Sequence, residues 1–148
     1  MEPATSRSPS IASEAPDRAP PATLWRPWLA CGALAGLAAV ALKAYLGHGG
    51  AALAETPRGW LETAGDFALY HAAVLLAVAI LARLGPGRSR LLVAAGAFFS
   101  VGLLCFSGGL TARALLAWHA LGPLVPLGGT ALLIAWSLLL LYALRRRF

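Results

Sequence analysis

Carboxylates are scarce in this chain: six acidic residues stand against twelve Lys and Arg, and none follows Asp66. Charge of either sign is also thin, at 12% of residues beside 59% hydrophobic. A soluble domain is nearer a quarter charged and half apolar, so the composition points to a membrane. The net charge of +6 does not imply nucleic acid. The basic residues come in short sets between apolar runs, without a basic stripe or interleaved aromatics, which is the membrane-flanking pattern. Cysteine is limited to Cys31 and Cys105. They fall early in the first apolar run and late in the third; these runs are parallel in an up-down bundle, so the sulfurs differ in depth by well over ~10 Å. A disulfide needs Cα atoms within about 7 Å, so both thiols read as packing residues.

Chemical motifs are missing as well. There is no Cys-x-x-Cys or His-x-x-x-His metal spacing. Ser107 lies in Phe106-Ser107-Gly108-Gly109, which lacks the strand-turn-helix setting of a nucleophile elbow. No glycine pair has the lysine of a phosphate loop beside it. The expectation is that the protein is not an enzyme and holds no cofactor or metal.

What is present is four long apolar runs. Residues 1–27 carry six of the ten prolines and read as a disordered cytoplasmic tail with no apolar signal core. Residues 28–147 read as one transmembrane domain with spans at about 28–46, 64–84, 91–110 and 124–144. Trp25 and Trp28 mark one interface of the first span and Tyr45 the other. Gly32 and Gly36, then Gly96 and Ser100, then Gly128 and Gly129 are the small residues expected to let helices approach. A helix break is expected at Gly108-Gly109, and 111–122 is expected to lie along the interface. Placing the N-terminus inside puts nine basic residues on the inner side against Lys43, Arg58 and Arg113 outside. The predicted fold is therefore an all-α, four-helix up-down bundle with both termini cytoplasmic.

That topology gathers His48, Glu62, Asp66, Tyr70, His71, Ser107 and Arg113 at the outer end as a candidate polar network. Ionisable groups in a membrane helix are costly without partners, which makes them the place to look for function. Asp66 and His71 are five positions apart, about 140° around a helix, so they cannot bond directly. Asp66 is expected to find Lys43 or Arg113. His71 is expected to be a buried neutral ring bonded to a hydroxyl or carbonyl, with Ser107 and the backbone freed by Pro126 as candidates.

The same residues carry a family resemblance. His48, then Glu62-Thr63 with Asp66-Phe67 and Tyr70-His71, then Phe106-Ser107-Gly108-Gly109-Leu110, then Pro126-Leu127-Gly128-Gly129 with Trp136 occur in order. They resemble the YgdD-type family of small four-helix inner-membrane proteins, a domain of unknown function, over about residues 30–144. The resemblance implies a four-helix membrane fold in a bacterial inner (plasma) membrane and no established activity. The family's Gly-Ala-Phe-Gly-Ala-His run reads Lys43-Ala44-Tyr45-Leu46-Gly47-His48 here, and its Glu-Tyr-Gln reads Asp66-Phe67-Ala68. The carboxylate survives and the amide is lost.

The functional expectation is a small accessory or assembly subunit of a membrane complex. Its partners would be the lipid bilayer and either other membrane proteins or further copies of itself. The alternative is an oligomeric carrier or proton/ion pathway using Asp66 and His71.

Overall fold

The computed structural model describes residues 25–85 and 89–145, and all regular structure among them is helical. α1 is Trp25–His48. A 3-10 turn, Gly50–Ala52, leads into α2, Glu55–Leu84. α3, Arg90–Leu103, continues through a π turn, Leu104–Gly108, into α4, Gly109–Leu116. A 3-10 turn at His119–Leu121 precedes α5, Leu124–Arg145. With α3 and α4 taken as one rod, four helices are long and apolar enough to cross a membrane. The shortest has 24 residues, which at ~1.5 Å per residue exceeds a hydrocarbon core of ~30 Å.

Three boundaries differ from the sequence reading. The tail expected over 1–27 lies outside the described residues as far as 24, and Trp25–Pro27 already belong to α1. Pro27 sits in the first turn, where a missing N–H costs nothing. α2 starts at Glu55, well before the expected span at 64. Pro57 is again in a first turn, and Arg58 and Glu62 support that turn across i,i+4 at 3.0 Å. The expected break at Gly108-Gly109 and the expected interfacial helix are replaced by α4. The helix runs on to Leu116 and stops where Ala117 turns left-handed at φ 53°. Two glycines cost a helix roughly 2 kcal/mol. Here packing of this rod against α2 and α5 outweighs that cost.

The helices lie side by side largely in chain order: α1 on α2, α2 on α3 and α4, α3 and the π turn on α5, while α1 barely meets α3. α2 is thus the central element. Leu61, Leu75 and Val78 on α2 and Phe99 on α3 are fully buried, among Ala39, Ala64, Ala95 and Ala135. Small residues set the closest approaches. A Cβ at Gly32 would lie 3.1 Å from the Ala72 carbonyl, and one at Gly128 would lie 2.5 Å from the Phe106 backbone nitrogen. Gly102 faces the Gly128 carbonyl at 3.0 Å in the same way. Gly96 instead receives the Trp28 ring, at 2.8 Å. Gly36 and Gly129 have ordinary clearance, at 3.8 and 3.7 Å. Among the residues expected to pack helices, Gly32, Gly96 and Gly128 therefore make the tight contacts.

Candidate functional site

The polar residues separate into two levels. At the end where α1 finishes and α2 begins, Lys43 Nζ lies 2.5 Å from Asp66 Oδ1. The stem of Lys43 passes over Gly65, whose missing side chain leaves the room: a Cβ there would stand 3.2 Å from Lys43 Cε. Arg58 Nε donates to Glu62 at 3.0 Å. Arg113 sets its guanidinium over the Trp60 ring at 4.3 Å, a cation–π contact between α4 and α2. Its Nε is buried without a hydrogen-bond partner among the described residues. His48 is the last residue of α1, and its Nδ1 donates to the Ala44 carbonyl at 2.8 Å. Tyr70 is 66% exposed and stands apart from these groups, although it shares a helix face with Glu62 and Asp66.

His71 belongs to the second level, which corrects its placement at the outer end. It is the seventeenth of the 30 residues of α2, about 7.5 Å further along the helix axis than Asp66. The earlier start of α2 explains the shift, because a helix beginning at Glu55 carries His71 to its middle. The ring is 7% exposed. Nδ1 donates to the Phe67 carbonyl at 2.8 Å, so neither Ser107 nor the backbone near Pro126 is its partner. Aromatic rings surround the imidazole: Phe67 is stacked at 5.6 Å, Phe99 lies at 5.8 Å and Trp136 stands edge-on at 6.3 Å. Phe106 extends this wall from Phe67, with ring centres 4.4 Å apart. The histidine thus bridges α2 to α3 and α5 through ring contacts.

Ser107 lines a different feature. α1 and α3–α4 diverge on one side of α2 and leave an apolar groove of about 660 Å³. Its floor is Ala64, Ala68 and Leu75, and its walls include Ala38 and Ser100. Ser100 and Thr111 spend their hydroxyls on carbonyls one turn back, at 2.9 and 2.8 Å. Ser107 is 7% exposed, and its Oγ has no partner among the described residues. Both cysteines are free thiols. Among the described residues, no three His, Cys, Asp or Glu side chains come together in a metal-holding arrangement.

Residues 31–129 match the model of a family described as a protein of unknown function, DUF423. The chain belongs to this family. A UPF0382 membrane protein of Haemophilus influenzae is 34% identical over 105 residues, covering 70% of this chain and 82% of that protein. The UPF0382 membrane protein YwdK of Bacillus subtilis is 32% identical over 117 residues, covering 77% and 93% respectively. No solved structure matches the chain. With its four helices of spanning length and relatives named as membrane proteins, this DUF423 member is a membrane protein. The matched segment contains the charge pair, His71 and the groove, and ends before Trp136.

Sequence reading missed Gly65, Gly102 and the His71 cage as a unit. Gly65 had a signal, since a glycine beside Asp66 on a polar helix end suggests room for a counter-ion. The cage had none, because Phe67, Phe99 and Trp136 come from three helices whose rotations no local pattern fixes.

Proposed function

We propose that this protein is a small accessory or assembly subunit of a membrane complex in the bacterial inner membrane, with both termini cytoplasmic. One observation carries the reading. The groove beside α2 is apolar, with small residues such as Ala38, Ala64, Ala68 and Ser100 among leucines, and contains a buried serine hydroxyl that lacks a partner among the described residues. Helices associate in membranes through close packing of small residues and interhelical hydrogen bonds, and this lining supplies both. A volume near 660 Å³ is between one and two turns of a helix about 10 Å across. The occupant we assign is a transmembrane helix of another protein. It would set a hydrogen-bonding group against Ser107 and cover α1, whose buried share is about half that of α2.

The polar outer end supports a structural role. Asp66 is paired with Lys43, Glu62 with Arg58, and His71 with its own helix, so each has a partner without a transported ion. The sidedness follows the charges. Arg26, Arg83, Arg90 and Arg145 lie at one end of the helices, and the three described acids lie toward the other.

Native mass spectrometry of the chain extracted gently from its own membrane tests this. A reproducible heteromeric mass, lost in Ala38→Phe while the variant melts as the parent does, is expected. Ala38 is an exposed groove residue, so the new ring fills the groove and leaves the core alone. A monomer or homo-oligomer overturns the reading. If Asp66→Asn then alters ion flux in a folded protein, the oligomeric carrier takes its place.

A further inference from the structure

The ends of α1 and α2 opposite the charge pair hold donors with no acceptor among the described residues. The guanidinium carbons of Arg26 and Arg83 lie 5.8 and 5.6 Å from the centre of the same Trp25 ring. Arg83 is in the last turn of α2 and Trp25 opens α1, so two antiparallel helices supply the three side chains. The indole Nε1 is buried and has no hydrogen-bond partner among the described residues. Neither arginine has a carboxylate among the described residues, where the ion pairs are Lys43–Asp66 and Arg58–Glu62. The nearest acid along α2 is Asp66, about 25 Å up the helix from Arg83.

Two cations held against one ring repel each other, and nothing described in the chain neutralises them. A tryptophan at a helix end sits at headgroup depth. The available donors are two planar forks suited to phosphate oxygens, both on exposed side chains held against one ring. We propose that Trp25, Arg26 and Arg83 form a binding site for the phosphodiester of an anionic phospholipid. The net negative charge is required because a zwitterionic headgroup brings its own cation and leaves the two arginines uncompensated. Juxtamembrane basic residues favour anionic lipid by roughly five-fold each. This site is independent of the groove and of any partner subunit.

The test uses the full chain purified in a zwitterionic detergent and titrated with phosphatidylglycerol or phosphatidylcholine of identical chains, read by native mass spectrometry. One retained phosphatidylglycerol is expected, preferred at least five-fold over phosphatidylcholine. The preference should disappear in Arg26→Gln/Arg83→Gln and weaken in Arg83→Lys, which keeps the charge but loses the fork. Trp25→Phe should weaken it also, because the smaller ring holds the two guanidinium groups less strongly. Arg145→Gln, which removes a charge at the same end on a helix that supplies none of the three site residues, should leave it intact. Equal retention of the two lipids by the unaltered chain overturns the site. So does a loss in Arg145→Gln as large as in Arg83→Gln, which would make the effect diffuse charge. If the double variant does not fold, Arg83→Lys and Trp25→Phe decide: unchanged preference in both overturns the proposal.

Discussion

At His71 the Phe67 carbonyl one turn back accepts the Nδ1–H. The rest of the ring is surrounded by Phe67, Phe99 and Trp136. The side chain therefore contributes as an aromatic body, with its polar edge satisfied locally. Exchanging it for a ring of similar size should cost little, whereas deleting it should leave a void. His71→Phe is expected to stay within about 1.5 kcal/mol of the parent, and His71→Ala to lose about 2–4 kcal/mol. Thermal unfolding in detergent measures both. Equal damage from Phe and Ala would mean that a ring nitrogen does more than bond its own helix. Lys43 and Asp66 differ in kind: their side chains are 40% and 45% exposed, so the pair is worth about 0–1 kcal/mol where water reaches it.

At the scale of an element, the π turn and the start of α5 explain each other. The backbones approach so closely at Gly128 that any Cβ would meet Phe106 N at 2.5 Å and the Gly102 carbonyl at 2.8 Å. Those neighbours are main chain and cannot swing away. Gly129 faces only the Phe106 ring, at 3.7 Å. Adjacent glycines should then respond in opposite ways. Gly128→Ala is expected to destabilise by about 1–3 kcal/mol or more through overpacking. Gly129→Ala should be neutral or stabilising by up to ~1 kcal/mol from helix propensity. Parallel melting curves decide it, and matching losses at both positions would remove the close approach as the reason for the glycine pair. The four spans were legible in the sequence because apolar runs of about 20 residues have one physical reading in a bilayer. Gly32 and Gly128 were legible as packing residues for the same kind of reason. The helix ends were less so: Pro57 and Gly108-Gly109 are breakers by local propensity, but a first turn absorbs the proline and interhelical packing absorbs the glycines.

Across the whole molecule, the residues that the sequence gathers at one end separate into two levels, with the charge pair at the end and His71 further in. For Asp66 the sequence offers only Lys43 and Arg113, because charges at facing helix ends have few alternatives, and the partner is Lys43. The sequence draws His71 to the outer end because it starts α2 near Trp60, and a shift of five residues in a helix start moves later depth estimates by ~7.5 Å. The proposed topology depends on helix count and charge. Four spans bring both ends of the bundle to one side, and the described basic residues without acids, Arg26, Arg83, Arg90 and Arg145, collect on that side. Single cysteines in a Cys31→Ala/Cys105→Ala background can test this, because both native thiols are free and only partly exposed. Gly47→Cys, at the exposed end of α1 where an added Cβ meets no neighbour, should react with a membrane-impermeant maleimide on intact cells. Arg145→Cys, at the end of α5, should react only after lysis. Inverse labelling would place the basic end outside, where the positive-inside rule would no longer account for the orientation. The Trp25 site would then face the outer leaflet, and its preference for an anionic headgroup would have to be met by the lipids there.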